Sequence, residues 1–214
     1  MSPAFAVQPP IDTKGCLIEQ LVPEVLSYLL SYLDHQSLCS VSMTSATMRV
    51  LANDDRVWKH LFHVDFTTEQ DRLQPPSGWK VHYSATKAVT EANQRFYSVF
   101  SSKSLFAMAG LWLNADYVKC IHPGGVLLTG YDAVIASWRV VFGWGQRYDF
   151  DLRDVRCRVD GRMAWVTLKE FVNQAEEPLI ATNCFEKHGG VWHIVHHHSS
   201  PQFAATGPEW GHYR

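Results

Sequence analysis

Residues 191–201, VWHIVHHHSSP, place three consecutive histidines in a chain that holds eleven. In an extended strand, alternate side chains share a face, so Trp192, Ile194, His196 and His198 are expected on one side and His193, Val195, His197 and Ser199 on the other. Two imidazoles at this spacing bind zinc or iron when a third ligand converges, and His122 is the candidate third ligand. No carboxylate or cysteine stands at a ligand spacing from them, so no metal is assigned. The same residues could do acid–base chemistry on an apolar substrate. His122, His196 or His198 would move the proton, Tyr117 would donate to a developing enolate, and Trp112, Trp138 and Trp165 would form the walls. Such chemistry usually needs a carboxylate base. Asp149, Asp151 and Glu170 lie in strand-like stretches whose faces the sequence leaves open. The GxSxG, P-loop, HExxH and dinucleotide-binding glycine patterns are all missing. No catalytic residue and no cofactor are therefore assigned, and the expected role of these histidines is to hydrogen-bond the last strand to the His122-Pro123-Gly124-Gly125 turn.

What positions these residues depends on the whole chain of 214 residues, of which 46% are hydrophobic and 19% charged. Those proportions are ordinary for a folded globular protein. The net charge of −2 comes without a block of like charges, which argues against a nucleic-acid or membrane surface. Five cysteines, Cys16, Cys39, Cys120, Cys157 and Cys184, are odd in number and contain no CxxC pair. They read as reduced thiols rather than a disulfide framework, so a cytoplasmic or nuclear setting is expected. Residues 1–14 lack the basic and apolar regions of a signal peptide and read as a flexible tail.

From 15 to 63 the pattern is helical. Leu17, Leu21, Val25, Leu29 and Leu33 recur every fourth residue, with Ile18, Val22, Leu26 and Leu30 beside them. Pro23 suits the first turn of the main helix. Leu38, Val41, Met48 and Leu51 point inward from short serine-rich pieces. Asn53 or Asp54 would cap a last helix carrying Val57, Trp58 and Leu61. Residues 64–85 hold Pro-Pro and Ser-Gly and read as a connector.

From 86 onward, helices are expected over TKAVTEANQRFYSVFSS, SKSLFAMAGLWLNAD and YDAVIASWRVVF. An extended segment turning at Pro123-Gly124-Gly125 lies between the second and third. The period then falls to two. Phe150 and Leu152 alternate, the phase slips at Arg153-Asp154, and Val155, Cys157 and Val159 resume, as a β-bulge would produce. Asp160-Gly161 and Gly189-Gly190 mark turns between long strands, with a shorter strand at 178–187. The class is α+β, with an antiparallel sheet curved around helices, followed by a tail at 206–214.

The order Leu21, Glu24, Leu26, Leu29, Leu33, Asp34, Leu38, Val41 and then DDRVWKHL resembles an F-box, with Pro23 one place later than that family puts it. The HPGG turn, Gly130 before a helix, Trp138 within it, and W-x-I-V-H-x-H-x-S in the last strand resemble the SnoaL-like branch of the cone fold of nuclear transport factor two. That second domain would cover 86–205. An F-box followed by this domain is similar to a group of plant F-box proteins that bind the Skp adaptor. The resemblance implies a substrate receptor of an SCF-type ubiquitin ligase. Leu21, Pro23, Leu26, Leu29, Leu33, Leu38, Val41, Trp58 and Leu61 would dock on the Skp adaptor and, through it, on cullin. The cone would present a surface to an unidentified target protein and could pair with a second copy through its sheet. The other reading is a ligand-binding or isomerase-like enzyme built on the cone.

Overall fold

The computed structural model describes residues 17–66 and 73–201. The expected tails at 1–14 and 206–214, Cys16, part of the connector and residues 202–205 lie outside them. The chain divides into two compact units, with the boundary between Val64 and Asp65.

In the first unit a 3₁₀ turn, Leu17–Gln20, precedes four short helices: α1 (Pro23–Leu30), α2 (His35–Val41), α3 (Ala46–Ala52) and α4 (Asp55–Asp65). Each start has a local cause. Pro23 opens α1 behind an extended Val22. The Asp34 side chain accepts the Ser37 N–H at 2.8 Å and caps α2, and the Ser45 hydroxyl accepts the Met48 N–H at 3.2 Å and caps α3. Of the two candidates before α4 it is Asp54 whose carboxylate accepts the Arg56 N–H, at 2.8 Å. Trp58 is buried, and its indole N–H donates to the Ala52 carbonyl at 2.8 Å, which ties α4 to the end of α3. Leu26, Leu30, Leu38, Met48, Leu61 and Phe62 complete the core around it.

The second unit begins its regular structure with α5 (Trp79–Ser102). Residues 79–85, expected to end the connector, are instead its first two turns. Trp79, Tyr83 and Thr86 repeat at helical spacing and are buried, so packing carries the helix back to Gly78. Next come α6 (Leu105–Leu111), β1 (Lys119–Ile121), β2 (Leu128–Thr129) and α7 (Tyr131–Gly143). Four long strands follow: β3 (Phe150–Asp160), β4 (Met163–Val172), β5 (Leu179–His188) and β6 (Val191–Pro201). Strand β5 has ten residues like β4 and lies one residue on from the expected 178–187. The sheet order is β2-β1-β6-β5-β4-β3. It is mixed rather than wholly antiparallel, because β1 runs parallel to β6. The turn between β1 and β2 closes with the Gly125 N–H on the His122 carbonyl at 2.8 Å. Pro123 and Gly124, at φ +70°, occupy its two central positions, as a type II turn requires. The concave face of the sheet holds Val166, Phe185 and Ile194 against Phe96 of α5 and Trp138 of α7, all fully buried.

Two bulges set which side chains enter this core. The first lies between Arg153 and Arg156 of β3, where expected, and Asp154 takes φ +53° there. The second was not expected. In β6 the register against β5 shifts between Cys184 and Phe185, so that Cys184 faces His196 while Phe185 faces Ile194, and Val195 is the extra residue. Trp192 and Ile194 point inward before the shift; Val195, His197 and Ser199 point inward after it. His196 and His198 are thus turned to the outer face, opposite to Trp192 and Ile194.

His197 is 2% exposed and packs its ring against Phe96, with centroids 5.1 Å apart. Asn183 donates its amide N–H to Asn93 Oδ1 at 2.8 Å, which leaves Asn183 Oδ1 to accept from His197 Nδ1 at 2.6 Å. His197 is therefore a neutral imidazole with its proton on Nδ1. Burial, with further repulsion from His122, His196 and His198, pulls its pKa down to about 3. The unfolded chain takes up this proton near pH 6.5 while the folded chain does not. The stability that His197 contributes is complete above pH 6.5 and falls as the pH drops toward 3, at a limiting slope of about 1.4 kcal/mol per pH unit. The thermal midpoint of the second unit should fall between pH 7.5 and 4.5, and His197→Gln should flatten that slope. An unchanged slope in the variant, followed by circular dichroism, would contradict the assignment. Glu170, whose pKa burial raises, works in the opposite sense over the lower part of this range.

Candidate functional site

Two features stand out: the surface of α1 in the first unit, and a cavity inside the cone. Across the 3₁₀ turn and α1 the apolar residues form two adjacent stripes. Leu26 and Leu30 turn into the unit's core, at 2% and 5% exposure. Leu17, Leu21, Val25 and Leu29 lie on the surface, at 78%, 41%, 42% and 44%, with Ile18, Val22, Tyr28 and Tyr32 also exposed. A contiguous apolar surface of this kind marks a docking face. The nine residues expected at the adaptor interface therefore separate. Leu21, Pro23 and Leu29 are exposed, and Leu33 and Val41 are half-buried. Leu26, Leu38, Trp58 and Leu61 are interior, and hold the helices that display the face.

In the cone, of the expected pocket residues only His122 lines the interior cavity. Trp112 and Trp138 are core side chains. His122 sits edge-on to Trp138, with ring centroids 4.7 Å apart. It reaches Ser137 of α7 rather than β6. Ser137 Oγ donates to the Val134 carbonyl at 2.7 Å, so His122 Nε2 donates to Ser137 Oγ at 2.9 Å. Burial lowers the His122 pKa. Tyr117 is exposed, and its hydroxyl donates to Glu186 at 2.8 Å. Trp165 lies on the outer face of the sheet, with the Arg158 guanidinium 5.1 Å from its ring centroid. His196 and His198 occupy that outer face too, with ring centroids 6.5 Å apart. Strand β6 lies beside β1, which leads into the HPGG turn, with His198 opposite Ile121, and the member of the three that makes a buried side-chain bond is His197, to Asn183. Among the described residues no three His, Cys, Asp or Glu side chains are grouped to hold a metal ion.

The polar groups that do converge centre on Glu170, a carboxylate whose face the sequence left open. Glu170 of β4 is 3% exposed and faces the cone interior. Its Oε1 accepts from the Tyr97 hydroxyl, and its Oε2 accepts from Ser199 Oγ at 2.7 Å. Burial raises its pKa, opposed by both hydrogen bonds, and burial beside this carboxyl raises that of Tyr97 well above the usual value. Asn183 links the carboxyl group's neighbour Tyr97 to His197, its amide nitrogen lying 3.4 Å from the Tyr97 oxygen. Glu170, Ser199 and His197 line one end of a cavity of about 220 Å³, whose remaining wall includes Phe100, Val141, Trp144, Tyr148 and Phe150. The thiols are not part of it. Cys120 is buried and Cys157 half-buried, and desolvation pushes the pKa of both up to about 12, far from a nucleophilic thiolate.

Comparison with known proteins agrees with this division. Residues 19–64 match the F-box-like family and residues 89–205 match the SnoaL-like domain. The chain is 52% identical to the F-box protein SKIP8 of Arabidopsis thaliana over 184 residues, which span 86% of this chain and 80% of that one. Over 55 residues, 25% of this chain and 8% of the relative, it is 42% identical to sconB of Arthroderma benhamiae, a probable E3 ubiquitin ligase complex SCF subunit. Among solved structures, a putative dehydratase of the NTF2-like family from Streptomyces avermitilis superposes with a TM-score of 0.52 at 28% identity, covering 56% of this chain and 98% of that one. Four short helices around a buried tryptophan, followed by helices packed in a curved six-stranded sheet, are thus the two halves of one known arrangement, and the chain belongs to the F-box proteins that carry a SnoaL-like domain.

Proposed function

We propose that this chain is the F-box subunit of an SCF-type E3 ubiquitin ligase. It docks on the Skp adaptor, and through it on cullin, by the exposed face of Leu21, Val25 and Leu29, and presents its SnoaL-like domain to a target protein. The observation that carries the reading is the apolar stripe on α1 and the residues just before it that the unit's own core does not use. Its kinship with SKIP8 and with the SCF subunit sconB supports the same role. Ubiquitin transfer would be done by other subunits. The contribution of this chain is to hold the target near them, so that a bimolecular encounter becomes a local one. No group on the chain needs to react. Assembly of this kind places the protein in the cytoplasm or nucleus, and no helix among the described residues is long and apolar enough to cross a membrane.

The separation of exposed from interior leucines makes the test specific. Full burial of one aliphatic side chain stabilises by roughly 1.5–3 kcal/mol, before the costs of association. Leu21→Ala/Leu29→Ala should weaken capture by purified Skp adaptor about 100-fold, on the order of 3 kcal/mol. Its thermal midpoint should stay near that of the wild type, since both side chains are already exposed. Leu26→Ala should instead destabilise the first unit by about 2–5 kcal/mol, because it opens a cavity in the core. Adaptor binding by the double variant at wild-type affinity would remove the basis for the proposal.

A further inference from the structure

The 3₁₀ turn ahead of α1 has its side chains the wrong way round for a surface that faces only water. Leu17 and Ile18 are exposed, as is Gln20, while the half-buried residue of the turn is Glu19, the one that carries a charge. Charged side chains are the last to leave water, and they do so with a partner. No residue of the turn is buried in the core of the unit. Its backbone closes on a single long contact, from the Leu21 N–H to the Ile18 carbonyl at 3.3 Å. A segment so lightly tied gains little to offset the entropy of holding one shape.

What holds Glu19 inward is Ser45. The Ser45 hydroxyl donates to Glu19 Oε1 at 2.5 Å, across 26 positions of the chain. The same oxygen accepts the Met48 N–H as the cap of α3. That helix is a firm anchor, because Met48, Leu51 and Ala52 are all buried. A hydrogen bond onto a carboxylate is stronger than one between neutral groups. The bond therefore fastens the turn to α3 through its polar residue and leaves both apolar ones outside. They lie next in the chain to Leu21 and continue the exposed stripe of Leu21, Val25 and Leu29.

We propose that Glu19 is a positioning residue for docking on the Skp adaptor. Bonded to Ser45, it sets the 3₁₀ turn so that Leu17 and Ile18 extend the apolar face of α1 toward the N-terminus. The inference rests on the reading of that face as the adaptor surface. Glu19 need not touch the adaptor. Its contribution is that the turn is ordered before the encounter, so that less freedom is lost on binding.

Titration of purified Skp adaptor into variants of the full chain tests this. Glu19→Ala should remain folded by circular dichroism and bind about tenfold more weakly, since the turn must then be ordered on binding. Glu19→Gln keeps an oxygen that accepts from Ser45, and should bind within about twofold of the wild type. Leu17→Ala/Ile18→Ala should also weaken binding, and adding Glu19→Ala to that pair should cost nothing further, because nothing is left to position. If Glu19→Ala fails to fold, Ser45→Gly removes the same bond with a residue that an N-cap tolerates, and decides in its place. Wild-type affinity in Glu19→Ala overturns the inference. So does Glu19→Gln binding as poorly as Glu19→Ala, which would mean that the carboxylate meets the adaptor through its charge. Additive losses from Glu19→Ala and the Leu17/Ile18 pair overturn it too. A wild type that does not bind the adaptor defeats the reading of α1 together with this inference, and is thereby distinguished from failure of the Glu19–Ser45 bond alone.

Discussion

Four helices of seven to eleven residues cannot bury two apolar stripes at once. A unit this small has room inside for one, and the constraint decides what the N-terminal half of the protein can do. Leu26 and Leu30 of α1 are buried, as are Leu38, Met48, Trp58, Leu61 and Phe62, and that interior leaves Leu17, Leu21, Val25 and Leu29 outside. An isolated domain would be expected to put polar groups there. Their apolar character has a physical rationale once a second surface covers them, and the same burial that offsets chain entropy in folding would then drive association.

In the second unit the governing constraint is phase along a strand. One extra residue at Val195 reverses the faces of everything after it in β6. The reversal removes His196 and His198 from the interior and installs His197 and Ser199. His197 then completes a chain of buried polar groups, Asn93–Asn183–His197, whose members are nearly all satisfied by one another. Ser199 completes the pair of donors on Glu170. The bulge therefore builds the polar end of the cavity, and the aromatic side chains of α5 and the loop after α7 build the rest.

Much of this could be read from residue order. The leucine spacing, Pro23 at the start of α1, the three helices after the connector, the hairpin turns and the β3 bulge all follow from local rules that the structure obeys. The division of α1 into an inner and an outer stripe does not, because both stripes are equally apolar and only three-dimensional packing decides between them. The start of α5 at Trp79 was hidden behind Pro75-Pro76, although Trp79, Tyr83 and Thr86 carry the helical spacing. The β6 bulge did leave a trace: Ile194 and Val195 are adjacent apolar residues in an otherwise alternating strand, the same kind of break as at Arg153-Asp154. Glu170 could have been found by extending the alternation of Ala164, Val166 and Leu168 by one step. Its role does not show in local spacing, because the groups that bond to it and to one another come from β4, β5, β6 and α5.

The most direct test of the divided stripe is hydrogen–deuterium exchange of the full chain, alone and saturated with purified Skp adaptor. The account predicts slowed exchange over residues 17–30, where the unburied stripe lies, with β3 to β6 exchanging as in the free protein. Unchanged exchange over 17–30 at saturation, or slowing confined to the strands of the second unit, would contradict it.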